Sequence, residues 1–175
     1  MSRKKTIETI NNQVQDLSEK TKEISNKLVD DVCRPLDELM LDIQDMLPDI
    51  SDTALKDLIL DLSNILYFAI DKQEQLGIKE DMAKMIRQEL YNSTRKETSG
   101  TVAEKESSAL LESKYEETVQ LIYSRSYKRV KAKVEAGYEM LNALKKIMNT
   151  RLEELKLSQS RYIGGQPNER GADNK

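Results

Sequence analysis

Histidine and tryptophan are absent from this 175-residue chain, cysteine occurs once, proline three times and glycine six times. Each shortage excludes something. Without histidine, the commonest general base and metal ligand is missing. Cys33 has no second cysteine to pair with, which rules out an internal disulfide and suits a reducing compartment. It also lacks a histidine to activate it, and the neighbouring Asp30 and Asp31 are expected to raise its pKa and blunt its nucleophilicity. The glycines stand alone apart from Gly164-Gly165, so no glycine-rich loop is present to cradle a phosphate. No EF-hand spacing occurs among the acidic residues. Carboxylate pairs such as Asp30/Asp31 and Glu153/Glu154 are expected to face water on charged helices. The expectation is therefore a protein that is not an enzyme, with no catalytic residues, metal site or cofactor.

Aromatic residues make up only 5% of the chain, whereas charged residues reach 34% and hydrophobic residues 38%. Such a composition is poor material for a many-stranded sheet and good material for long helices with narrow apolar stripes. The longest apolar stretch, Leu58 to Ile70, is interrupted by Asp61, Ser63 and Asn64 and is too short to span a bilayer. The amino terminus, Met1 to Thr6, is basic but leads into polar sequence, unlike a signal peptide. A cytoplasmic location without a membrane partner is expected.

Along the chain, Ile7, Ile10, Val14, Leu17, Ile24 and Leu28 follow a heptad spacing, with Thr21 the one polar intruder. A second run, Val32, Leu36, Leu39, Ile43 and Met46, is shifted in phase, and Pro35 between the runs predicts a kink or a fresh helix start. Pro48 is expected to end it. Ser51 is a good N-cap, with Ile50 and Leu55 in staple positions. Leu55, Leu58, Ile59, Leu62, Ile65, Leu66 and Ala69 then mark a wide apolar face, and Leu60, Tyr67, Phe68 and Ile70 extend it to other sides. A helix apolar on several sides is expected in the middle of a bundle, with Gly77 as its C-cap.

A shorter helix follows, with Met82, Met85, Ile86 and Leu90 as its buried side, then a loop at Glu97-Thr-Ser-Gly100. Thr101 and Glu104 form a capping box that opens the last and longest helix. Its stripe runs from Tyr123 through Tyr127, Val130, Val134, Tyr138, Leu141, Leu144, Met148 and Leu152 to Leu155. The fold class read from this is all-α: an elongated helical bundle with coiled-coil segments and one long C-terminal helix. Its parts are 1–47 (heptad and acidic helices kinked near Pro35), 51–96 (a core helical pair), 101–163 (the long helix) and 164–175 (a disordered tail).

Charge is distributed unevenly. Residues 30–62 hold ten acidic against two basic residues, a net of −8; residues 124–161 hold ten basic against four acidic, a net of +6. Arg125, Lys128, Arg129, Lys131 and Lys133 fall within nine residues with no acid between them and, at 100° per residue, avoid the Tyr127/Val130/Val134 stripe. Lys146, Arg151 and Arg161 return to that side. Such a row suits neutralisation of phosphates, with tyrosines near enough for base stacking. It equally suits a solvated face that pairs with the acidic helices. Tyr123, Tyr127 and Tyr138 lie on the apolar stripe, where a core role competes with stacking. Gly137 either allows a close helix approach or is neutral.

The segment Lys133-Val-Glu-Ala-Gly-Tyr138-Glu-Met-Leu141-Asn-Ala-Leu144-Lys-Lys-Ile147-Met-Asn-Thr-Arg151-Leu resembles the C-terminal helix of the T4-type phage recombination mediator proteins. The resemblance covers the last third of the chain, and the first fifty residues have no counterpart in that family. In general character the chain is also similar to small helical phage proteins of Gram-positive hosts. The resemblance implies a ring-forming homo-oligomer in the host cytoplasm that binds single-stranded DNA and works with a recombinase or single-strand binding protein. It makes Arg125, Lys128, Arg129, Lys131 and Lys133 the DNA-contacting candidates. Tyr127, Val130, Val134, Tyr138, Leu141 and Leu144 become the oligomerisation seam. The competing expectation is a non-enzymatic coiled-coil interaction protein: an adaptor, a virion assembly component or an inhibitor of a host protein.

Overall fold

The computed structural model describes residues 3–47 and 50–164, with side chains over 14–47 and 50–159. Pro48, Asp49 and the tail from 165 onward lie outside the described residues, as do the side chains of Ile7, Ile10 and Arg161. Among the described residues there are four helices and no strand: α1 (Arg3–Met46), α2 (Asp52–Glu97), α3 (Val102–Glu112) and α4 (Lys114–Gly164). The fold is all-α.

Local signals place the boundaries. Ser51 caps α2 by accepting from the Ala54 amide at 3.2 Å, and the staple residues Ile50 and Leu55 are both buried. At its far end the Thr98 amide closes on the Thr94 carbonyl, and Gly100, at φ 132°, takes the left-handed turn that few other residues tolerate. The Thr101–Glu104 capping box forms reciprocally and opens α3. α3 then meets α4 at Ser113, whose amide and hydroxyl both return to the Ala109 carbonyl.

Two expected breaks do not occur. α1 runs through Pro35 without a fresh start. The proline is exposed, so the carbonyl that loses its partner lies where water can replace the bond. α2 likewise runs through Gly77, making one 46-residue helix, roughly 70 Å long, of the expected core pair. Gly77 does not take the left-handed conformation of a C-cap; only Gly100 does so among the described glycines. A Cβ at 77 would stand 3.4 Å from the Tyr127 ring, an ordinary van der Waals contact, so α4 passes close by on this side.

The three long helices form an up-down-up bundle. α4 is antiparallel to α2: Arg87 bonds Glu117, while Arg151 at the other end bonds Asp52 at 3.0 Å. α4 is parallel to α1, with Ser25 meeting Ser126 and Ile50 meeting Arg151. Leu36, Ile43, Leu55, Leu62, Leu66, Val130, Leu141 and Leu144 form the core between them. At the crossing point a Cβ on Gly137 would lie 2.6 Å from Leu66 and 3.5 Å from Leu36, so the glycine permits a close approach of all three helices.

A three-helix bundle has no central position, which corrects the expectation for α2. Its Leu58/Leu62/Leu66/Ala69 side is buried, but Leu60, Tyr67 and Phe68 are 60–72% exposed on the outer side. The heptad seam of α1 is also rotated. The polar intruder Thr21 is buried at 2% exposure together with Ser25, while Val14, Leu17 and Ile24 are 46–62% exposed.

Candidate functional site

The five cations of the basic cluster divide by direction. Arg129 and Lys133 point at α1, where Arg129 donates to the Asn26 side-chain oxygen and Lys133 pairs with Asp37. Arg125, Lys128 and Lys131 are exposed and stand three residues apart along one row of α4. Lys131 reaches Glu135 at 3.9 Å, so an acidic residue ends the row. Of the more distant cations, Lys146 is exposed, whereas Arg151 is half-buried and donates to the Ile50 carbonyl at 2.8 Å and to Asp52. Arg151 therefore locks the α1–α2 connection instead of lining an outer face.

The residues expected as a seam between subunits are used within the chain. Val130, Val134, Leu141 and Leu144 are 0–6% exposed in the bundle core. Tyr127 packs against the same core beside Gly77, and Tyr123 joins it half-buried. Tyr138 alone of the six is substantially exposed, at 43%. The physical reason is the up-down-up topology: α1 and α2 supply the partners that a lone coiled-coil strand would seek in another copy.

Cys33 is buried at 1% exposure. Burial pushes its thiol pKa up; Arg129 and Lys133 pull it down and Asp37 adds to the rise. Desolvation, and not the adjacent aspartates, is the chief cause. Among the described residues no cluster of histidine, cysteine, aspartate or glutamate is arranged to hold a metal ion, and no helix is long and apolar enough to cross a membrane.

The surface that sequence reasoning missed lies at the α3 end of the bundle. Among residues 78–122, the buried ones are Ala83, Ala109 and Ser113, none of them large. The large apolar side chains there are exposed instead: Met82 57%, Met85 68%, Ile86 54% and Tyr115 74%. Met82, Ile86 and Tyr115 border a groove of about 360 Å³ between α2 and α4, lined also by Lys79, Ala83, Glu116, Val119 and Tyr123. One oxygen of Glu116 in this wall is sealed from solvent without a hydrogen-bond partner. The sequence signal was available in Met82, Met85 and Ile86, which were expected to be a buried side. The period identifies an apolar face but not whether the chain itself covers it.

No protein-family model matches the chain, and it has no match among curated proteins or solved structures.

Proposed function

We propose that this chain is a non-enzymatic helical binding protein that docks a protein partner on the apolar surface around the α2–α4 groove. The observation that carries the reading is the exposure of Met82, Met85, Ile86 and Tyr115 over a stretch of bundle with no large buried side chain. Apolar patches of this kind, rimmed by charge, mark interaction sites on proteins of this size. Their removal from water is the main driving force for association.

The test is a photo-crosslinking residue placed at position 82 in the full chain, with a control at the exposed Asp57. Docking predicts a covalent protein adduct from position 82 and none from position 57. Equal labelling, or none from 82, overturns the reading.

A second reading is favoured by one observation, the exposed row Arg125, Lys128 and Lys131. In that reading the chain binds single-stranded nucleic acid as an accessory recombination or replication protein, through three phosphate contacts instead of five. Fluorescence anisotropy with single-stranded DNA tests it over a salt series, because affinity built on phosphate contacts falls as salt rises. The informative variant reverses Arg125, Lys128 and Lys131 to Glu and leaves Arg129 and Lys133 alone, since those two hold α1. No binding at low salt rules this reading out.

A further inference from the structure

We infer that the occupant of the α2–α4 groove is a second copy of this chain, related by a two-fold axis that crosses the groove at its middle. The inference rests on the reading of this surface as a docking site and names the partner. Lys79 and Glu116 line opposite ends of the groove. Tyr127 on α4 stands level with Gly77 on α2, and Glu117 level with Arg87. The two charges are therefore offset by about nine residues of helix, roughly 13 Å along the axis. Met82, Ile86 and Val119 lie between them.

A two-fold operation brings residue i of one copy to residue j of the other, and j to i. Applied at the groove's midpoint, it sets Lys79 against the partner's Glu116 and Glu116 against the partner's Lys79. The apolar middle meets itself. Among the described residues neither charge has an ion-pair partner within its own chain. Glu116 also carries a sealed oxygen with nothing bonded to it, so a cation brought close to its carboxylate compensates a group the monomer leaves uncompensated.

Ile78 and Met85, exposed beside the groove, extend the apolar surface of Met82, Ile86 and Tyr115 toward the ~800 Å² per partner of a stable interface. Lys79, Glu116, Val119 and Tyr123 add to it. A foreign helix would fill the apolar middle equally well, whereas a copy of the same groove necessarily brings the charge that answers each end.

The experiment is sedimentation equilibrium of the full chain over a wide concentration range, with circular dichroism of each variant as the check on folding. The wild type is expected to reach the mass of a dimer. Lys79→Glu and Glu116→Lys, each alone, place like charges opposite one another and should weaken the dimer about tenfold or more. The double variant Lys79→Glu/Glu116→Lys restores opposite charges across the axis and should recover most of the affinity.

A monomer at every concentration overturns the inference. So does a dimer indifferent to the single changes, or single effects that the double variant does not repair. Failure here is distinguishable from failure of the docking reading: an adduct from position 82 to a different protein sinks the second copy and leaves the docking surface standing, whereas no adduct sinks both.

Discussion

The two halves of this bundle share α2 and α4 and are held in different ways. In one half, 21–77 of α1 and α2 with 123–151 of α4, most inward positions are Leu, Val and Ile, and many of these are fully buried. Each such side chain contributes about 1.5–3 kcal/mol on burial. In the other half the inward positions fall to Ala83, Ala109 and Ser113. There the α2–α3/α4 hairpin is joined instead by surface pairs, Arg87 with Glu117 and Arg95 with Glu106, at 3.3–3.4 Å. Pairs of this kind contribute ~0–1 kcal/mol each. Helical continuity therefore does not report packing. α2 passes through both environments without a break, carried by strong helix formers and by the caps at its ends.

The comparison breaks most readily by truncation. Leu144→Ala in the packed half should cost about 3 kcal/mol in denaturant unfolding, through lost burial and a residual cavity, whereas Met85→Ala in the open half should change stability by less than about 0.5 kcal/mol. Equal costs would mean that the open half is packed after all. A smaller effect sharpens the boundary between the halves. The Ser25 and Ser126 hydroxyls bond each other at 2.9 Å in the buried α1–α4 seam. Ser126→Ala should cost roughly 1–2 kcal/mol by leaving Ser25 with a buried unpaired group, and adding Ser25→Ala should recover part of that loss. A double variant no more stable than the single one would contradict the geometry.

The smallest effect concerns pH and lies at the open end. Backbone and side-chain hydrogen bonds from Thr101 hold the Glu104 carboxyl below its ordinary pKa. A depressed carboxylate stabilises above its unfolded pKa and loses that contribution as pH falls through the folded value. Amide protection in α3 should thus fade on acidification before protection in the packed half does, and Glu104→Gln should flatten that dependence. Hydrogen exchange measured against pH checks both.

What the sequence made legible was local. The Ser51 cap, the Thr101–Glu104 box, the loop ending at Gly100 and the Leu55–Ala69 face all depend on neighbours within a turn or two and are where the pattern put them, although the box opens the short α3 and the helix expected to run from 101 to 163 is divided at Ser113. The errors came from distant partners. Gly77 reads as a helix stop, yet α2 runs on through it beside Tyr127, and α1 runs on through Pro35 without a fresh start. Arg129 and Lys133 are indistinguishable in sequence from Arg125 and Lys128, because their difference lies in Asn26 and Asp37 about a hundred residues away. The groove was invisible for the same reason. Periodicity finds Met82, Met85 and Ile86, but only three-dimensional placement tells a covered stripe from an open one.

The spacing of contacts along the chain sets an order of assembly. Bonds across the α2–α3/α4 hairpin join residues 11, 30 and finally 99 positions apart, from Arg95–Glu106 through Arg87–Glu117 to Asp52–Arg151. Loop closure favours the shortest first, so this hairpin zips from its turn toward the distant end. α1 pairs with α2 over an intermediate separation, 41 positions from Asp31 to Lys72, and with α4 only across 101, from Ser25 to Ser126. Its α2 side can therefore be covered before its α4 side, and a polypeptide truncated within α4 would leave the α4 side of α1 open.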